Sequence, residues 1–367
     1  MKRIASKILL LIALVLSVPA ATAQIEEESF KLVASDKYEL DARVAFPDGH
    51  SDNEVSKVII LLHGSGPQSM DADFTAVTRD GKPNLFFKEL SDTLATAGFA
   101  VIRYHKRSFQ TNLALQSATG FKESEVYKTF AANPLLYFVD DAKDAVSWAE
   151  NRFPEAEVFL LGHSQGAYIA LQVAHQLPQV KGVGLIGFAI SSLDVLLFEQ
   201  TVYRPLSLFI DLDLDGDGFL SPEELAAETP VATSIRGQMS IIDLDGDASL
   251  SKMELQAGNL SNLLIRDVAG ILREQEARYP RAAEILAGAS FKAAFFQGMW
   301  DNQTPAYNTK AVELVSRFVW SKDSFRFFYF DGLGHALDKR DRYDDLQYNT
   351  LDQGAKNTIV RELSAFF

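Results

Sequence analysis

Short apolar runs alternate with amphipathic stretches along most of this chain. Val58–Leu62, Phe99–Tyr104, Val158–Leu161, Val180–Gly187, Phe291–Phe296 and Phe325–Phe330 are nearly continuous in apolar residues, as strands buried on both faces are. Between them, Leu85–Ala97, Phe138–Asn151, Gln165–Leu177, Thr309–Val319 and a last stretch near Asp352–Phe367 carry helical spacing. Two alternating stretches near the start, Lys31–Ala34 and Tyr38–Phe46, predict a hairpin. Alternating β and α with buried strands implies an α/β fold, a mostly parallel sheet with helices on both faces.

The alternation stops at residue 189 and resumes near 290. The intervening segment has no strand-like run and reads as mainly helical. The expected organisation is a core of residues 24–188 and 290–367 interrupted by a cap insertion, 189–289, over the C-terminal edge of the sheet. That edge is where open α/β sheets bind ligands.

Residues 1–23 stand outside this pattern. Lys2, Arg3 and Lys7 precede an apolar run, Ile8–Val18, and Ala21-Thr22-Ala23 gives a small-residue cleavage signal. This is the pattern of a secretory signal peptide. The run, ended by Pro19, is shorter than the roughly 20 residues a spanning helix requires, so no stable membrane anchor is expected. The expected location is secreted or periplasmic. The chain has no cysteine, which excludes disulfides, a thiol nucleophile and thiolate-bound zinc. A formal charge of −14 without a basic cluster argues against nucleic acid as a partner. Nothing in the sequence speaks to oligomeric state.

Candidate chemistry begins at Gly162-His163-Ser164-Gln165-Gly166, between a predicted strand and a predicted helix. A sharp strand-to-helix turn presents such a serine as a nucleophile, and the flanking glycines relieve crowding. Ser164 needs a base to lose its proton at neutral pH. Of the histidines, only His335, in Asp331-Gly-Leu-Gly-His-Ala336, comes late enough for a Ser…Asp/Glu…His order. Asp301, after the Phe291–Phe296 strand, is the favoured acid that would orient the imidazole, with Asp194 as competitor. His63-Gly64-Ser65-Gly66-Pro67 follows another strand. The backbone N–H groups of Ser65 and Gln165 are the candidate donors to a tetrahedral oxyanion.

With these motifs the chain resembles bacterial α/β-hydrolases of the carboxylesterase and serine aminopeptidase-like group. These carry an H-G-S-G-P turn, an R-Y-D-K-R-like segment, G-H-S-x-G, G-x-x-D and G-x-x-H. Arg103-Tyr104-His105-Lys106-Arg107 departs from the second element, with His in place of Asp. The resemblance implies an α/β-hydrolase fold and hydrolysis of small or medium esters through an acyl-enzyme; it does not reach into residues 189–289. Two alternatives stand beside it: a serine peptidase of the same fold, and a calcium-dependent binding protein on a hydrolase scaffold.

Within the insertion, Asp213-Leu-Asp-Gly-Asp-Gly-Phe-Leu-Ser-Pro-Glu-Glu224 is repeated as Asp243-Leu-Asp-Gly-Asp-Ala-Ser-Leu-Ser-Lys-Met-Glu254. Asp at positions 1, 3 and 5 and Glu at 12 is EF-hand spacing, which surrounds a hard cation with oxygen. The expected Ca²⁺ ligands are Asp213, Asp215, Asp217, the Phe219 carbonyl and Glu224. In the second loop they are Asp243, Asp245, Asp247, the Ser249 carbonyl and Glu254. Ala248 stands at position 6, where Gly usually makes the turn, so the second site is expected to be weaker.

Overall fold

The computed structural model describes residues 25–367, apart from positions 48, 50, 51, 80, 266, 267 and 346. The leader read at 1–23 lies outside the described residues. Ten strands are described: β1 (Glu26–Val33), β2 (Glu39–Phe46), β3 (Lys57–Leu62), β4 (Ala100–Tyr104), β5 (Glu157–His163), β6 (Val180–Ile186), β7 (Phe219–Leu220), β8 (Leu250–Ser251), β9 (Lys292–Gly298) and β10 (Phe325–Phe330). Eight form one sheet in the order β1-β2-β4-β3-β5-β6-β9-β10. β1–β2 and β2–β4 are antiparallel; every other pair is parallel.

The apolar runs are continuous because each strand feeds two layers. Val58, Ile60 and Leu62 pack into one cluster with the helices Pro134–Arg152 and Gln165–Gln176, while Ile59 and Leu61 face another formed with Phe86–Thr96 and Gln353–Phe366. Such alternation across a sheet is the period-two geometry of strands. The hairpin forms as expected but begins earlier, at Glu26. Its glutamates are tolerated in an edge strand because Glu27 pairs with buried Arg103 and Glu28 with Arg152 at 2.9 Å.

Two helices between β4 and β5, Arg107–Ser117 and Glu125–Ala132, carry no clear signal in the sequence. The insertion is mainly helical, with one correction: it contains strands. β7 and β8 pair antiparallel, Phe219 opposite Ser251 and Leu220 opposite Leu250, and so join the two Asp-rich loops. A separate apolar cluster including Phe209, Leu220, Ile235, Leu250 and Leu255 holds this unit together. Among the described residues, no helix is long and apolar enough to cross a membrane.

Candidate active site

Parallel strands deliver their C-terminal ends to one edge, and the candidate residues follow those ends directly. β5 ends at His163 and hands over to Ser164; β6 ends at Ile186, β9 at Gly298 and β10 at Phe330, all neighbours in register. Ser164 has φ 56° and ψ −120°, an unfavourable backbone for a residue with a Cβ. Its N–H donates to the Ile186 carbonyl at 2.8 Å, which fixes the turn against the next strand. The turn is possible only with its glycines. A Cβ on Gly166 would lie 2.0 Å from the Leu62 carbonyl oxygen, and one on Gly162 would lie 2.2 Å from that of Gly166.

Asp301 and His335 meet in a fully buried pair, His335 Nδ1 lying 2.9 Å from Asp301 Oδ2. Oδ1 of Asp301 accepts the N–H groups of Gln303 and Thr304 at 2.9 and 2.8 Å. Oδ2 accepts from Thr304 Oγ1 at 2.6 Å and Gln297 Nε2 at 3.0 Å. Burial alone would raise this carboxyl's pKa. The His335 charge, its hydrogen bond and the Thr304 donors outweigh burial, and the net shift is downward. Asp194, by contrast, lies in the first turn of the helix Leu193–Phe198 and accepts a 2.5 Å bond from Ser192.

His163, inside the turn, is no rival base. Burial and the neighbouring His335 lower its pKa to about 3. Its Nε2 lies 3.2 Å from the His335 carbonyl, so that nitrogen is the protonated one. His63 is lowered to about 3 as well, first by burial and then by Lys106. His105, the departure in the Arg103–Arg107 segment, accepts the Met70 N–H at 2.9 Å and so pins the neighbouring loop.

Ser164, His335, Ser65 and Gln165 line a common cavity of about 200 Å³. Gly64 packs against Ser164: a Cβ there would stand 3.2 Å from that of Ser164. Sequence reasoning missed Gln297, Thr304 and Lys106. Gln297 was detectable as a polar residue ending an apolar strand. Lys106 stood in the R-Y-D-K-R-like segment, but the segment did not show what it contacts. It is buried, and its Nζ donates to the Gly64 carbonyl at 2.5 Å and to Gln165 Oε1 at 2.7 Å. Burial lowers its pKa to about 7, while these acceptors and the Phe138 ring, 4.3 Å from Nζ, favour the charged form.

In the insertion, oxygens of Asp213, Asp215 and Glu224 lie within 4.8 Å of one another, as do those of Asp243, Asp245 and Asp247. Asp217 and Glu254 belong to neither cluster; Asp217 accepts the Phe219 N–H at 2.8 Å, and Glu254 accepts from Ser251 N at 2.9 Å and Oγ at 2.7 Å. Phe219 lies in β7, while Ser249 precedes β8. Position 6 takes a left-handed backbone in both loops, φ 88° at Gly218 and 69° at Ala248. The Ala248 Cβ is thus held where glycine is favoured.

Two family models match parts of the chain. Residues 84–201 match the family model described as serine aminopeptidase, S33, and residues 207–227 match the one described as EF hand. Esterase EstD of Thermotoga maritima is 27% identical over 179 residues, 49% of this chain and 37% of that protein, so the chain spans well under two thirds of that relative's length. The Pyrococcus furiosus esterase Pf2001 aligns with a TM-score of 0.50 at 12% identity, covering 93% of this chain and 91% of that one. A dienelactone hydrolase from Anabaena variabilis gives a TM-score of 0.48 at 13% identity, covering 94% and 97% respectively.

Proposed function

We propose that this chain, an α/β-hydrolase with a serine aminopeptidase-like core segment and an EF-hand-like insertion, is a serine carboxylesterase. The observation that carries the proposal is the buried Asp301–His335 pair opening into the same cavity as Ser164. Asp301 holds the proton on His335 Nδ1 and leaves Nε2 free to take the Ser164 proton. Ser164 Oγ then attacks the ester carbonyl, and the N–H groups of Ser65 and Gln165 receive the charge that develops on oxygen. Collapse expels the alcohol, protonated by His335, and leaves an acyl-enzyme. Water, deprotonated by the same imidazole, releases the acid. Similarity to an esterase over part of the chain supports an ester substrate over a peptide. Turnover of p-nitrophenyl esters against aminoacyl-anilides tests this choice. Labelling by a fluorophosphonate separates an enzyme from a binding protein on the same scaffold. The sequence of residues 1–23 supports export, which N-terminal sequencing of the mature protein checks.

Lys106 is a positioning residue in this scheme, because it ties Gly64, next to Ser65, to the side chain of Gln165. Lys106→Met should lower kcat roughly 10-fold or more with little change in KM, since the ester carbonyl is held equally well before its oxygen becomes charged. The charge on Nζ is present at low pH and lost as pH rises through about 7 or above, where activity should decline. The Met variant should lack that descent. A variant that keeps it, or that changes KM alone, counts against the role.

The insertion's oxygen donors and turn geometry fit calcium, and the match to an EF-hand model supports it. Bound Ca²⁺ would neutralise the crowded carboxylates and tie each Glu to the aspartates before it. Calorimetric titration should give two unequal sites. Chelation should lower the melting temperature, an effect of about 2.7 kcal/mol if calcium had been held at a hundred times its Kd. Ala248→Gly should tighten the weaker site by relieving roughly 1 kcal/mol of backbone strain. No heat at millimolar calcium, with an unchanged melt in chelator, would mean that the loops are acidic turns only.

A further inference from the structure

The insertion lines most of a second, partly open cavity of about 640 Å³, larger than the one at Ser164. Leu197 and Gln200 line both, so the two cavities share a wall. That wall lies where the helix from Leu193 widens into a π-turn over Glu199–Tyr203, a distortion common at functional sites. Gln200 is fixed to the catalytic side by a 2.6 Å bond from its Nε2 to the Gln303 carbonyl.

Leu208, Ile235 and Leu255 make much of the distal cavity apolar. Among its polar residues, two carry a donor without a partner. Asn259 is only 7% exposed, and its Nδ2 has no hydrogen-bond partner among the described residues; the same holds for Nη2 of Arg204. Asp344, also in the lining, is paired with Arg342 at 2.8 Å, and Glu199 accepts from the Tyr307 hydroxyl. Buried donors without acceptors are costly, and rare unless a ligand or water completes them.

We propose that this cavity is a distal substrate subsite, taking an apolar arm of the ester that carries an oxygen acceptor for Asn259 and Arg204. This rests on the reading of Ser164 as the nucleophile. The ester carbonyl sits at Ser164, and its longer arm passes Leu197 and Gln200 into the cap. A carboxylate or a second ester carbonyl supplies the acceptor chemistry, and either arm of the substrate, acyl or alcohol, can bear it.

The test is kcat/KM across p-nitrophenyl acyl esters of increasing length and, by titration of released acid, across n-alkyl acetates. Each length is compared with a counterpart ending in a carboxylate or a methyl ester. One of the two series should rise with length by roughly 10-fold or more, and the acceptor-bearing counterpart should be preferred by a similar factor. Ser234→Trp, at an exposed position in the lining, should collapse the ratio of long to short substrates. Asn259→Leu should remove the acceptor preference while keeping the length dependence. Thermal melts of both variants exclude misfolding as the cause. Hydrolysis of acetate with a flat length profile in both series, or with no acceptor preference, overturns the subsite. Failure to hydrolyse any ester, with no fluorophosphonate label, instead overturns the reading of Ser164.

Discussion

Ser164→Ala should remove ester hydrolysis by roughly five to six orders of magnitude and abolish fluorophosphonate labelling, while the thermal melt stays close to the wild type. The separation follows from the backbone. Alanine keeps the Cβ that already sits at φ 56°, so the turn bears the same strain, and the Ser164 N–H bond to Ile186 is untouched. Only the attacking oxygen is lost. The remaining rate over water would come from the oxyanion donors and from binding. Ser164→Gly should be equally inactive but more stable, because glycine relieves backbone strain worth about 1–3 kcal/mol. More than a few per cent of activity in the alanine variant would move the nucleophile elsewhere.

The parts of the molecule legible in the sequence are those where burial imposes a repeat. Strands β3 to β6, β9 and β10 show as apolar runs because helices cover both sheet faces, and their boundaries fall within a few residues of the reading. Arg107–Ser117 was invisible for the converse reason. It buries Arg107 and Thr111 rather than an apolar stripe, with Arg107 held by Asp141 at 2.5 Å and Asp36 at 2.6 Å. β7 and β8 are two residues each, too short for alternation to register.

Spacing also explains what was legible in the site. Ser164 and its glycines are neighbours in sequence because a single turn forces them together. Lys106 reaches Gly64 across 42 positions and Gln165 across 59, so only the fold brings them into contact. Thr304 lay in view beside Asp301, but its double contact with Asp301 and His335 depends on how the β9 loop folds back.

That loop makes Asp301→Asn the sharper test of the acid. Replacing the carboxylate by an amide should cost about 10⁴ in kcat, whereas Asp194→Asn should change it less than about threefold. The amide must choose an orientation. With its NH₂ in place of Oδ1 it would face two backbone N–H groups, those of Gln303 and Thr304, which cannot turn away. With its NH₂ in place of Oδ2 it would face His335 Nδ1 and only one fixed donor, Gln297 Nε2, while the Thr304 hydroxyl can rotate to accept. The second orientation is therefore favoured. It makes Nδ1 an acceptor and puts the imidazole proton on Nε2, the atom that has to receive the Ser164 proton. The histidine stays in place in the wrong tautomer, so KM should change little while kcat collapses. Steady-state kinetics on both variants, with melts as controls, decide the matter. If Asp194→Asn were the damaging change and Asp301→Asn the mild one, the acid would lie after β6 rather than after β9.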